Sequence, residues 1–140
     1  MATLTSTASV QSRHSLLRNT LRANAVFSGI SGAVFLLAAQ PVTQLLGLAP
    51  GAEGVIALLG LIILGCVVLF IMNTIKPEVD WRFGLAALII DALWVAGSMA
   101  ILAFDLFGLS TAGRWAVLIV ADIVLVFAIL EYIGLRRLRA

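Results

Sequence analysis

Four long apolar runs divide this chain, and nearly all of its basic residues lie at ends that would share one side of a membrane. The runs occupy residues 23–40, 54–75, 83–104 and 114–135, each 18 to 22 residues long. About 20 residues of α-helix cross the roughly 30 Å of hydrocarbon in a bilayer. The runs are unbroken rather than alternating, which argues against a membrane barrel and for helices, whose backbone groups pair internally. Hydrophobic residues make up 62% of the chain and charged residues only 11%, against about a quarter charged in a soluble domain. Four spans use most of the 140 residues, so no separate soluble catalytic domain fits.

The charges set the expected topology. Arg13, Arg18 and Arg22 precede the first run, Lys76 and Arg82 lie between the second and third, and Arg136, Arg137 and Arg139 follow the fourth. Only Arg114 falls on the other side, and eight cations against one is a strong positive-inside bias. The sequence therefore predicts an all-α, antiparallel up-down-up-down four-helix transmembrane bundle with both termini cytoplasmic. Residues 1–22 form the expected cytoplasmic tail, 23–135 the membrane domain, and 136–140 a basic C-terminus. The pI of about 9.3 reflects this sorting, so the partners expected are membrane lipids, whose anionic head groups attract the cations, and not nucleic acid.

Aromatic residues agree with that placement. Trp81, Trp115 and Tyr132 fall near span ends, where a ring with a polar tip sits at the interface. Trp94 lies well inside the third span, where its indole N–H needs a partner. The Ser- and Thr-rich stretch at 1–11 reads as a mobile tail rather than a cleaved signal peptide, because the first apolar run starts late and is too long. His14 could join an interfacial helix over 12–21, and a solvated position is its simpler reading. Cys66, the single cysteine, lies within the second span as a small apolar side chain.

Local signals mark the connections. Pro41 ends the first span, and 41–48 could form a short interfacial turn of helix. Asp80 is a candidate N-cap for the third span, and Ser110 or Thr111 for the fourth. The two outer loops share an echo, Leu45-Leu46-Gly47-Leu48 against Leu106-Phe107-Gly108-Leu109, with no supporting match between the helices. Ala25, Gly29 and Ala33 step by four along the first span beside Ser28 and Gly32. Such a ladder lets backbones approach closely, within one bundle or across a homodimer or larger membrane complex.

The third span presents Gly84, Asp91, Ser98 and Asp105 at intervals of seven, nearly two turns, so they share one face. Asp91 lies eight residues inside one end of its span, and Asp122 eight inside the opposite end of the fourth. Both are about 12 Å deep, and their heights differ by less than about 10 Å, so they could meet directly or through a water. A central Asp costs about 2.5–3.5 kcal/mol on insertion scales, and no Lys, Arg or His lies deep in a span to pair with it. A protonated Asp donates as well as accepts, and Ser28, Ser31 and Ser98 could add hydrogen bonds, with Asn24 and Asn73 nearer the span ends. The functional reading makes Asp91 and Asp122 a proton- or cation-coupling site, with Ser98 beside them and Trp94 lining the path. The structural alternative makes them hydrogen-bonded residues that fix the register of the last two spans. Glu131 is expected to snorkel toward Arg136 or Lys76, Asp105 to pair with Arg114, and Glu53 to be solvated.

Other chemistries find no support. No span contains His, which excludes bis-His haem ligation within them, and HExxH and GxSxG are missing. The glycines at 108–113 precede Arg114 rather than a phosphate-loop Lys, and no His, Cys and carboxylate cluster suits a metal. The segments Leu21-Arg22-Ala23-Asn24-Ala25-Val26-Phe27-Ser28 with Ser31-Gly32, Asp91-Ala92-Leu93-Trp94-Val95-Ala96-Gly97-Ser98, and Gly134-Leu135-Arg136-Arg137 resemble those of small uncharacterised bacterial four-span membrane proteins. That resemblance implies the four-helix fold and a bacterial inner membrane, and no activity, cofactor or site residue. Small multidrug transporters share only the size, since their essential span-one glutamate has no counterpart here. The expectation is a non-catalytic accessory or structural subunit, with a small proton- or cation-coupled transporter as the alternative.

Overall fold

The structure is a computed structural model that describes residues 2–139, with side chains from His14 onward. Its elements are all helices: α1 (Ala2–Leu37), α2 (Ala39–Leu46), α3 (Glu53–Ile75), α4 (Trp81–Phe104) and α5 (Thr111–Arg139). Four of them are long and apolar enough to cross a membrane: α1 from His14 onward, α3, α4 and α5.

The first helix differs from the first apolar run at both ends. Helix α1 begins at Ala2, so residues 2–22 are helical and lead without a break into the apolar run, with no Gly or Pro before Gly29 to interrupt the helix. The Arg13 side chain lies outside the described residues. At its other end α1 stops at Leu37, short of Gln40. Pro41 has no N–H for the Leu37 carbonyl four residues back, and its ring crowds that oxygen. The chain breaks at Ala38 and restarts as α2 with Pro41 in its first turn, where a missing N–H is harmless. Thus α2 supplies the short helix expected near 41–48. It ends at Gly47, whose φ of 74° is left-handed, as Gly47 N–H donates to Gln44 O and Leu48 N–H to Thr43 O.

Helix α1 packs against α3 and α5, and α5 also packs against α4. Helices α3 and α4, although joined by a short loop, scarcely touch, so the order is α3–α1–α5–α4 with an open α3/α4 edge. Two close approaches set this arrangement. A Cβ added at Gly60 would lie 2.6 Å from the Gly32 carbonyl oxygen and 2.7 Å from Leu36 N, so α1 and α3 cross backbone to backbone. Leu17 of α1 fills the space left by Gly84 of α4 and Gly134 of α5, where added Cβ atoms would meet it at 3.0 Å. Of the expected ladder, Ala25 is buried, whereas a Cβ at Gly29 would meet Val67 at an ordinary 3.8 Å. The apolar core, Leu17, Leu21, Phe70, Val79, Ala87 and Leu135, lies toward the end that holds the α3–α4 loop.

That end is basic, and its cations have structural work. Arg18 donates to the carbonyls of Lys76 and Pro77, and Arg22 to that of Thr74. Two arginines of α1 thereby satisfy the carbonyls at the C-terminus of α3, which has no basic residue of its own in its last turn. Asn73 clamps the loop, donating to Asp80 O and accepting from Asp80 N–H. Asp80 caps α4 by accepting from Arg82 N–H, as its sequence position predicts. Arg139 lies over the Trp81 ring at 4.9 Å. At the opposite end Ser110 caps α5 by accepting from Gly113 N–H, and it donates its hydroxyl to Leu45 O and its N–H to Leu46 O. Arg114 pairs with Asp105 at 2.9 Å, as expected, and donates to Leu102 O. Glu53 accepts from Gly51 N–H. The two echoing loops share a left-handed glycine, Gly47 at 74° and Gly108 at 59°, so turn geometry accounts for the echo.

Candidate functional site

Three helix faces converge on a buried polar cluster. On α4 the heptad face is buried as expected at Gly84, Asp91 and Ser98, while Asp105 is exposed beyond it. On α5 the buried stripe is Ala121, Val124, Ala128, Glu131 and Leu135, which alternates steps of three and four. On α1 the buried face is Leu17, Thr20, Leu21, Asn24 and Ala25. Asn24 sits where the three meet. Its Nδ2 donates to Asp91 Oδ2 at 2.8 Å and to Glu131 Oε1 at 3.0 Å, and its Oδ1 accepts from Ser28 Oγ at 3.0 Å. One carboxamide thus uses both donors to tie α4 and α5 to α1, and its acceptor is filled by its own helix. The two acceptor oxygens bond a single nitrogen and so lie less than about 6 Å apart. Asn24 is 2% exposed, Asp91 7% and Glu131 0%. Glu131 Oε2 is buried without a partner among the described residues.

Of the residues expected to form an intramembrane site, Asp91 and Ser98 share the buried face of α4. Trp94 lies one turn from Asp91, with its Nε1 buried and without a partner among the described residues. Asp122 is elsewhere: it is exposed, and it makes no ion pair or hydrogen bond to any described residue. Depth along a helix fixes the height of Asp122 relative to Asp91 but not its azimuth. Glu131, nine residues on, faces inward, and nine residues is about two and a half turns, so Asp122 faces out. Asp91 therefore pairs through Asn24 with Glu131 and not with Asp122. Nor does Glu131 snorkel toward Arg136 or Lys76, because it falls in register with the small residues that α5 turns inward. His14 is half-buried rather than solvated. It lines an open cleft of about 550 Å³ at the basic end with Glu78, Val79, Asp80, Trp81 and Arg139.

The cluster can bind and hold protons, and it can fasten three helices. Among the described residues no group of three or more His, Cys, Asp and Glu side chains is placed to hold a metal. The chain matches no family model, no curated protein and no solved structure.

Proposed function

We propose that this chain is a non-catalytic accessory or structural subunit of a membrane assembly. It sits as an antiparallel up-down-up-down bundle in a bacterial inner membrane, with both termini cytoplasmic. The observation that carries this reading is Asp122, exposed 11 residues into the 29-residue α5 with no partner among the described residues. Lipid tails cannot solvate a carboxyl at that depth, and its short side chain cannot reach even the nearer interface, about 12 Å away. A protein partner can. The topology is supported by the gathering of Arg18, Arg22, Lys76, Arg82 and Arg139 at one end and Arg114 at the other. Purification from native membranes in mild detergent, followed by mass measurement of the intact particle, tests the reading. The expected result is a particle heavier than one 14.8 kDa chain with stoichiometric composition; a lone chain in every gentle detergent refutes it.

A second reading, a small proton- or cation-coupled transporter, is favoured by the unpartnered Oε2 of Glu131 beside Asp91. In it the coupling carboxyls are Asp91 and Glu131, not Asp91 and Asp122. Proton flux in liposomes lost in both Asp91→Asn and Glu131→Gln would support it, and no flux in the unaltered protein would end it.

A further inference from the structure

We propose that the outward face of α5 is the seam of a parallel homodimer, in which the Asp122 carboxyls of two copies hydrogen-bond to each other. This rests on the reading above that the chain assembles, and it names the partner as a second copy. Helix α5 carries two stripes. The inner one, Ala121 to Leu135, is spent on α1 and α4. The outer one runs Trp115, Ile119, Asp122, Val126, Ile129 and Ile133, in steps of four and three. Its apolar members are 37% to 62% exposed. The stripe extends 18 residues, about 27 Å, and so covers nearly the full depth of the hydrocarbon. Steps of four and three are the repeat of a two-helix seam, and a single polar residue within an apolar seam sets register and partner number.

The chemistry of Asp122 selects the occupant. Every copy carries the same unsatisfied acid at the same depth, and a twofold axis along the bundle brings like to like. Two carboxylic acids are self-complementary, each donating one hydrogen bond and accepting one. The ring of interactions needs no cation, and no Lys or Arg occupies the middle of any span to supply one. β-Branched side chains at 119, 126, 129 and 133 flank the pair and lose little side-chain freedom on packing.

The test uses the full chain with Cys66→Ala and single cysteines at Ile119→Cys and Val126→Cys, oxidised in native membranes. Val68→Cys on α3 and Leu93→Cys on α4, both exposed positions, serve as controls. Disulfide-linked homodimers at 119 and 126 but not at 68 or 93 are expected; equal linkage at all four, or none at the seam, overturns the proposal. Asp122→Leu and Asp122→Asn are then compared by fluorescence energy transfer on dilution in lipid vesicles. Leu is expected to weaken association about tenfold, whereas Asn, which also donates and accepts, keeps it. Both variants are on the exposed face, so the intrachain packing is untouched. A monomer that instead co-purifies with a foreign helix bearing a mid-depth Lys or Arg overturns the homodimer and leaves assembly standing. A monomer with no partner at all overturns both.

Discussion

Asn24 is the residue on which the interior turns. Its two N–H groups are the donors recorded for Asp91 and Glu131. Asn24→Leu would leave two buried carboxyls without them, a loss of about 2 kcal/mol or more, read as a lower midpoint of unfolding in detergent. Replacing the whole cluster, Asn24→Leu with Asp91→Leu and Glu131→Leu, is expected to recover most of that stability, because no buried polar group is then stranded. If the single and triple variants unfold alike, the bridge is not what holds α1, α4 and α5. Asp91 was legible in the sequence because its heptad with Gly84 and Ser98 marks one face. Glu131 was legible in principle, since it continues the stripe Ala121, Val124, Ala128. Its nearness to the span end points the other way, toward the interface, and register overrides that signal. Asn24 carried no such signal: it lies where α1 leaves the interface, and only the approach of α4 and α5 makes it central.

Among the helices, glycines decide how closely neighbours come. Gly60→Ala puts its Cβ 2.6 Å from the Gly32 oxygen and 2.7 Å from Leu36 N, both backbone atoms that cannot step aside. It is expected to part α1 from α3 at about 1–3 kcal/mol of stability. Gly65→Ala and Gly97→Ala, with nothing within 4 Å, should be neutral or stabilising by up to about 1 kcal/mol, as helix propensity dictates. Equal effects at all three positions in thermal unfolding would contradict the close crossing. Asp80→Ala should cost about 1 kcal/mol through loss of the α4 cap. The caps at Asp80 and Ser110 and the break at Pro41 were readable from residue type alone, because capping and proline chemistry are local. The capping of α3 by Arg18 and Arg22 was not, since it joins residues 52 to 59 positions apart.

For the molecule as a whole, the four spans follow from hydropathy and length. Their sidedness follows from charge and can be tested directly: with Cys66→Ala, an impermeant maleimide applied to intact cells should label Phe107→Cys and leave Glu78→Cys unlabelled until the membrane is opened. The reverse pattern would invert the proposed topology. Neighbour choice was less legible, because apolar faces in lipid differ little from one another and only small and polar residues distinguish them. The open α3/α4 edge has one more consequence. Apart from the short 76–80 connection with its Asn73–Asp80 contacts, the half made of α1 to α3 meets the half made of α4 and α5 chiefly along α1 and α5, with Asn24 reaching Asp91 and Glu131 midway and Ser110 bonded to the end of α2. The chain is thus two hairpins fastened along one line, and it has a natural place to be cut. Two separately synthesised pieces divided at that connection should find each other in the bilayer and rebuild the molecule.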